Sequence, residues 1–286
     1  MKKLLFQFDT DPYPSVFDTV VAYDGGADHV IGFGGVHPVN VGALVEGAIF
    51  TRAPKDKKNT AIFVGGSNIQ EGQLLFNAVQ NQFFANFQVS VMLDSNGSNT
   101  TAAAMVAKLL SSGPITGRRV VILGGTGPVG QRAAMMLAQE GAAEIRITSR
   151  HLAKAEQTAT HINSRFGVEV IPVEAPDAEA RARVIETAEV VIAAGATGVE
   201  LIRPEHWLNN STLELIADTN ATPPLGIGGI DIFDRGTERS GKRVWGAIGF
   251  GALKLALHRA CIARLFESNL LILDAEEIFA IAKTMA

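Results

Sequence analysis

The densest chemistry in the chain lies in Gly124-Gly125-Thr126-Gly127-Pro128-Val129-Gly130, where Gly125, Gly127 and Gly130 form G-x-G-x-x-G directly after the apolar run Val120 to Leu123. In such a loop the first glycine permits a tight turn, the second lets the backbone approach a pyrophosphate, and the third lets the next helix pack against the strand. Free N–H groups and the helix dipole then face the phosphates. Val129, Ala133, Met136 and Leu137 recur at i, i+4, i+7 and i+8, so a helix opens where the motif requires one. Pro128 sits near its first turn, where a missing donor is tolerated. A lone glycine motif is also an ordinary turn. The strand before it and the helix after it favour dinucleotide binding, with Gly125, Thr126, Gly127, Pro128, Val129 and Gly130 as the contacts.

The following strand ends at Thr148-Ser149-Arg150, where an NAD-preferring site carries Asp or Glu for the ribose 2′-hydroxyl. No acid is present. Arg150 offers a planar, permanently charged fork for a 2′-phosphate, Ser149 can donate a hydrogen bond, and Lys154 follows. NADP is the expected cofactor, with NAD as a weaker alternative; the plainer reading of Arg150 is a solvated loop charge. A second small-residue loop, Ala193 to Gly198, is expected to bring Ala194 and Gly195 close to the ribose and nicotinamide. Asp218 and Asn220 open a loop that runs through Pro223-Pro224 to Asp231 and are expected to line the cofactor cleft.

Hydride transfer also needs a donor carbon held against the nicotinamide. Three segments qualify: Asp9-Thr10-Asp11, the run Asp94 to Thr101 (with Asp94, Asn96, Ser98, Asn99 and Thr101), and Gly249 to Lys254. Lys254 and His258 are i and i+4 on a helix and share a face beside Leu253, Leu257, Cys261 and Leu265. From spacing alone Lys254 reads equally as a solvated flank, and His258 as a structural hydrogen bonder. No Ser-His-Asp order or metal-ligand cluster stands out.

The elements that must position these groups follow an α/β rhythm. Leu4 to Phe8, Val30-Ile31, Ala61 to Val64 and Val89 to Leu93 read as strands, and Ser15 with Asp18 signals a helix start. After the Gly and Pro punctuation of Ser112 to Gly117, six more strands are predicted: Val120 to Leu123, Ile145 to Thr148, Val168 to Ile171, Val190 to Ala194, Leu213 to Ala217 and Val244 to Ile248. Six parallel strands suit a Rossmann domain. The expected organisation is two α/β domains: a substrate domain over 1–112, a Rossmann NADP-binding domain over 113–250, and C-terminal helices over 251–286 returning to the first domain, including an amphipathic helix from Leu253 to Leu265.

Composition agrees with this class. The 286 residues are 47% hydrophobic and 19% charged, which excludes disorder, and the 29 glycines exceed the usual share of about 7%. Net charge −4 without like-charge blocks disfavours nucleic-acid or membrane-surface binding. A single cysteine fits a reducing cytoplasm, and the N-terminus places Gln7 and Asp9 where a signal peptide would stay apolar.

Six segments together resemble the bacterial methylene-tetrahydromethanopterin dehydrogenases: Gln7 to Asp11, Tyr23 to Asp28, Asp94 to Thr101, Gly125 to Gly130, Pro223 to Asp231 and Leu257 to Ala263. The resemblance covers nearly the whole chain. It implies oxidation of a methylene-tetrahydropterin to the methenyl form with NADP, in one-carbon metabolism and methylotrophy. Methylene-tetrahydrofolate is a further substrate of some members, and a homo-oligomer, trimer or hexamer, is implied. It also implies that Lys254 is the catalytic-site lysine and that Phe17 shapes the pterin pocket. Because hydride loss leaves a delocalised cation, no proton abstraction is needed and positioning should carry the catalysis. Asp9 or Asp94 would stabilise the growing charge, whereas Lys254 would orient the ring or sit with a lowered pKa. Two other readings stand beside it: a shikimate-type NADP-dependent dehydrogenase, whose lysine–aspartate pair is not evident because Lys55, Lys57 and Lys58 fall in a polar loop, and a non-catalytic NADP-sensing protein.

Overall fold

The computed structural model describes residues 1–286. In chain order it begins β1 (Leu4–Asp9), α1 (Val16–Asp24), β2 (His29–Phe33), α2 (Gly42–Phe50), β3 (Thr60–Gly65), α3 (Ile69–Asn81), β4 (Ser90–Leu93) and α4 (Ser98–Ser112). It continues β5 (Arg119–Leu123), α5 (Pro128–Gln139), β6 (Glu144–Ser149), α6 (Leu152–Phe166), β7 (Ile171–Glu174), α7 (Ala178–Ile185), β8 (Val190–Ala193), α8 (Pro204–Trp207) and β9 (Leu215–Asp218). The remainder is β10 (Arg235–Arg239), β11 (Lys242–Trp245), α9 (Ala247–Leu265), β12 (Ile272–Leu273) and α10 (Ala275–Met285). Two compact units result, Met1–Thr100 with Leu255–Met285, and Thr101–Lys254.

The first unit is built on a parallel sheet of order β12-β4-β3-β1-β2. All residues of β3 and β4 are buried, which is why both read as continuous apolar runs and not as alternating ones. Phe8, Ile62, Val64, Leu75, Phe76 and Val91 form its core. Strand order reverses between β1 and β3, and ligands in open α/β sheets bind outside the strand carboxyl ends at such a point.

The second unit carries a sheet of order β10-β11-β9-β8-β5-β6-β7. Six strands are parallel in Rossmann order, and β10 adds an antiparallel edge through its hairpin with β11. Its reversal lies between β5 and β8.

Two predicted strands shift. The third strand of this sheet starts at Ile171, not Val168, because the side chain of Asn163 takes the backbone of Val170 on both sides: Val170 N donates to its Oδ1 at 2.8 Å and its Nδ2 donates to Val170 O at 3.3 Å. The strand expected to run to Ile248 stops at Trp245, since Gly246 N donates to Asp234 O and the Ile248 and Gly249 amides donate to Ile232 O. Consequently α9 starts at Ala247, six residues upstream of the start expected at Leu253, and Gly249 and Gly251 lie inside its first turns. A further helix, α10, follows it. No helix is long and apolar enough to cross a membrane.

Candidate functional site

Within the second unit, a cavity of about 490 Å³ opens at the carboxyl ends of β5, β6 and β8. The glycine loop forms one part of it. Gly124 N donates to Thr148 Oγ1 at 3.0 Å and Gly125 N to Thr148 O at 3.1 Å, which ties the turn to the end of β6. A Cβ on Gly130 would lie 2.7 Å from Gly125 Cα, and one on Gly124 would lie 2.6 Å from Gly195 Cα. Strand, helix and the β8 loop therefore meet backbone to backbone. Gly127 precedes α5 with no side-chain cap, so the first amides of that helix remain for an acceptor outside the chain.

Of the predicted cofactor contacts, Thr126, Gly127, Pro128, Ser149, Arg150, Lys154, Ala194 and Gly195 line this cavity. Gly125 and Gly130 do not; they make the turn and the close packing beneath it. Val129 is likewise outside the lining. Sequence reasoning passed over Thr148, His151 and Arg181, which do line it. No acidic side chain is among the lining residues, and Ser149 Oγ accepts from His151 N at 3.3 Å, which leaves its hydroxyl proton available. A glycine-lined entry, open helix amides and cationic side chains fit a dinucleotide carrying an extra phosphate.

Asp218 and Asn220 are placed differently from expectation. Asp218 accepts the amides of Asn220 at 2.9 Å and Ile227 at 2.8 Å, while Asn220 accepts from Thr222 N and donates to Pro224 O. Both are buried and fold the diproline loop back onto β9; neither lines the cavity. Burial pushes the Asp218 carboxyl up to about 6 despite its amide donors.

The first unit gathers polar groups at the β1/β3 reversal. Asp9 accepts the amides of Asp11 at 2.9 Å and Ser15 at 3.0 Å, and burial raises its pKa. Asp11 in turn accepts Ser67 N at 3.0 Å and Ser67 Oγ at 2.9 Å, across from β1 to the end of β3. The carboxylates of Asp9 and Asp18 both face Gly65. Asp18, read from sequence only as a helix-start signal, is thus a buried acid at this point, and Ser67 is a further group that the sequence reading did not single out, whereas Asp11 belongs to the first of the three expected substrate segments. The Gly65-Gly66-Ser67 turn was the available signal.

Asp94, Ser98 and Asn99 are fully buried and committed inward. Asp94 caps α4, Ser98 Oγ donates to Ser95 O, and Asn99 Nδ2 donates to Leu93 O and Asp274 Oδ1. His258 is also buried, its ring stacked on Phe63 at 5.5 Å and its Nδ1 3.9 Å from Asp94 Oδ2. Asn96 is exposed at positive φ, and Phe17 is half exposed with its ring 6.4 Å from that of His258. Thr101 and Lys254 are partly buried, on α4 and α9. The three lysines expected in a polar loop include one that is not solvated: Lys57 is buried, donates to Asn86 O at 3.2 Å and lies 3.9 Å from the centre of the Phe87 ring.

A family profile described as methylene-tetrahydromethanopterin dehydrogenase, N-terminal, matches residues 16–96, and one described as KR domain matches residues 119–200. The bifunctional protein MdtA of Methylorubrum extorquens is 56% identical over 287 residues, covering 100% of this chain and 99% of that protein. The NAD(P)-dependent methylenetetrahydromethanopterin dehydrogenase of the same organism is 36% identical over 224 residues, 76% of this chain and 75% of its own. Among solved structures, the quinate dehydrogenase of Corynebacterium glutamicum with NAD aligns at TM-score 0.53 and 17% identity over 98% of each chain, a likeness of fold. Identity at this level over the full length settles membership: the chain belongs to the methylene-tetrahydromethanopterin dehydrogenase family.

Proposed function

We propose that the protein oxidises methylene-tetrahydromethanopterin to the methenyl form with NADP as hydride acceptor, accepting methylene-tetrahydrofolate as a second substrate. The observation that carries the cofactor half is the acid-free cavity at the β5/β8 reversal, lined by Ser149, Arg150 and Lys154 where an NAD site would hold a carboxylate. The relatives support the pterin half. In this reading residues 113–250 bind the nucleotide, residues 1–112 bind the pterin, and the C-terminal residues 251–286 belong with the pterin domain.

Bound NADP supplies the acceptor carbon for the hydride. The chain's own work is placement. The amides at the start of α5 and the hydroxyl of Thr126 hold the pyrophosphate, and Ser149, Arg150 and Lys154 hold the 2′-phosphate. Ala194 and Gly195 give the nicotinamide side room to lie against the strand ends. On the pterin side Phe17 offers an aromatic face and Asn96 a polar contact, while Lys254 orients the imidazolidine ring. Buried acids at the β1/β3 reversal favour a cation growing at the methylene carbon. A shikimate-type activity is disfavoured because Lys57 lies in the turn three residues before β3, at the amino end of the strand and away from its carboxyl end. We further propose a cytoplasmic homo-oligomer, trimer or hexamer, serving methylotrophic one-carbon metabolism; the buried free thiol of Cys261 suits a reducing compartment.

Mixing the protein with methylene-tetrahydromethanopterin and NADP, and following reduced cofactor by absorbance, tests the reading directly. Turnover with NADP is the expected result; absence of turnover, or turnover only with a hydroxy-acid substrate, overturns it.

A further inference from the structure

Arg181 lies on α7, three elements beyond β6, whose end leads directly into Arg150, and it faces the same cavity. It is a buried side chain, 9% exposed, and its guanidinium is fixed from two sides. Nη1 donates to Leu201 O at 3.2 Å, and Nη2 donates to Pro176 O at 3.2 Å. These carbonyls belong to the segments that follow β8 and β7, so the charge is carried between two loops and cannot swing into solvent as a surface arginine would. Asp177 is the acid that attracts it; the Asp177 carboxylate, however, already caps α7 by accepting Ala180 N at 2.7 Å and is not among the cavity's lining residues.

Burying a guanidinium with only neutral carbonyls as hydrogen-bond acceptors is costly unless an anion compensates it. The cost is increased here. Arg150 repels Arg181, and Lys154 and His151 line the same cavity, so three permanent cations face a space with no lining acid. Such an arrangement is poorly matched to a neutral ribose hydroxyl and well matched to a dianion. We infer that Arg181 is a specificity-determining residue for the adenosine 2′-phosphate, the fixed cation behind the exposed pair Arg150 and Lys154. Exposed Arg150 and Lys154 can follow the phosphate, whereas Arg181 supplies a field that is already in place before the nucleotide arrives.

This inference rests on the NADP half of the proposed function and is independent of the pterin half, so its test uses no pterin. The probes are adenosine 2′,5′-bisphosphate and adenosine 5′-phosphate, titrated by calorimetry into the full-length protein and into Arg181→Met and Arg181→Gln. The wild type is expected to bind the bisphosphate at least about tenfold more tightly, about 1.4 kcal/mol. Either variant should reduce that ratio at least fivefold while leaving 5′-phosphate affinity within twofold, and the Gln variant carries the test if the Met variant does not fold. A purely structural pin would weaken both ligands alike or neither; equal loss, or an unchanged ratio, overturns the inference. A wild type that binds both ligands equally overturns the NADP reading itself, and a protein with the expected ratios but no dehydrogenase turnover overturns only the pterin reading.

Discussion

The hydroxyl of Thr100 donates to Asp94 Oδ2 at 2.6 Å, while Oδ1 of the same carboxylate accepts the amides of Asn99 at 2.8 Å and Thr100 at 3.1 Å. Asp94 thereby ends β4 and starts α4 with a fully buried side-chain cap. Replacing such a cap by alanine costs about 1–2 kcal/mol, and the orphaned buried donors add to it. Asp94→Ala should therefore lower unfolding free energy by at least about 2 kcal/mol in urea titrations. If stability is unchanged and only the pterin KM rises, Asp94 faces substrate and the capping role is wrong.

That same residue shows how far the sequence could be read. Its type and position after a strand marked it, and the segment around it is one of those that resemble the family. What the sequence could not show is direction, since a carboxylate that caps a helix and one that meets a substrate use the same residue at the same place. Asp218 shares this ambiguity. The glycine loop was legible because close backbone approach leaves a residue-type trace, as at Gly130 against Gly125. Arg181 left none, because an arginine on a polar helix that also carries Arg183 looks solvated until its two carbonyl partners are brought to it by separate loops. Helix α2 was passed over because its residues are apolar nearly all round, with Gly42 and Gly47 inside and no capping side chain, so it lacks both period and start signal.

Asp218 predicts a pH dependence. Its folded-state pKa, about 6, exceeds the ordinary 3.8, so between these values the folded protein binds more protons than the unfolded chain and this group makes stability fall as pH rises. The full effect is about 3 kcal/mol, present as pH passes from below 4 to above 6. Asp218→Asn loses one amide acceptor and is expected to be less stable than the wild type near pH 4.5. Its deficit should shrink as pH rises to 7. A deficit constant across that range in chemical denaturation would contradict the assignment.

Gly130→Ala places a methyl 2.7 Å from Gly125 Cα and Gly125 O, where only backbone can give way. Overpacking of this kind costs about 1–3 kcal/mol. It should also tilt α5 away from the turn and weaken NADP and NAD together, measured by fluorescence titration. Selective loss of one nucleotide would show that the helix had not moved.

Arg150→Ala gives the opposite pattern. Arg150 is exposed at the rim of the cavity, so its removal should leave stability unchanged. NADP affinity should drop at least about tenfold, about 1.4 kcal/mol, and NAD affinity should hold. Tighter NAD than NADP binding by the wild type, unaltered in the variant, would remove the phosphate-recognition role.

Lys254 tests the catalytic centre. It is partly buried on α9, one turn before the buried His258, whose stacking on Phe63 fixes the rotation of that stretch of helix. In the proposed role Lys254 would act by orientation, because the reaction creates a cation and leaves it no proton to remove. Lys254→Ala should therefore reduce turnover well beyond tenfold, more than about 1.4 kcal/mol of barrier, while the NADP dissociation constant stays within twofold. Lys254→Arg keeps the charge with a different reach and should recover only part of the rate. Single-turnover kinetics with saturating pterin separate this from a binding defect: a loss confined to KM would make Lys254 a pterin anchor, and an unchanged rate would return it to the solvated flank of the helix.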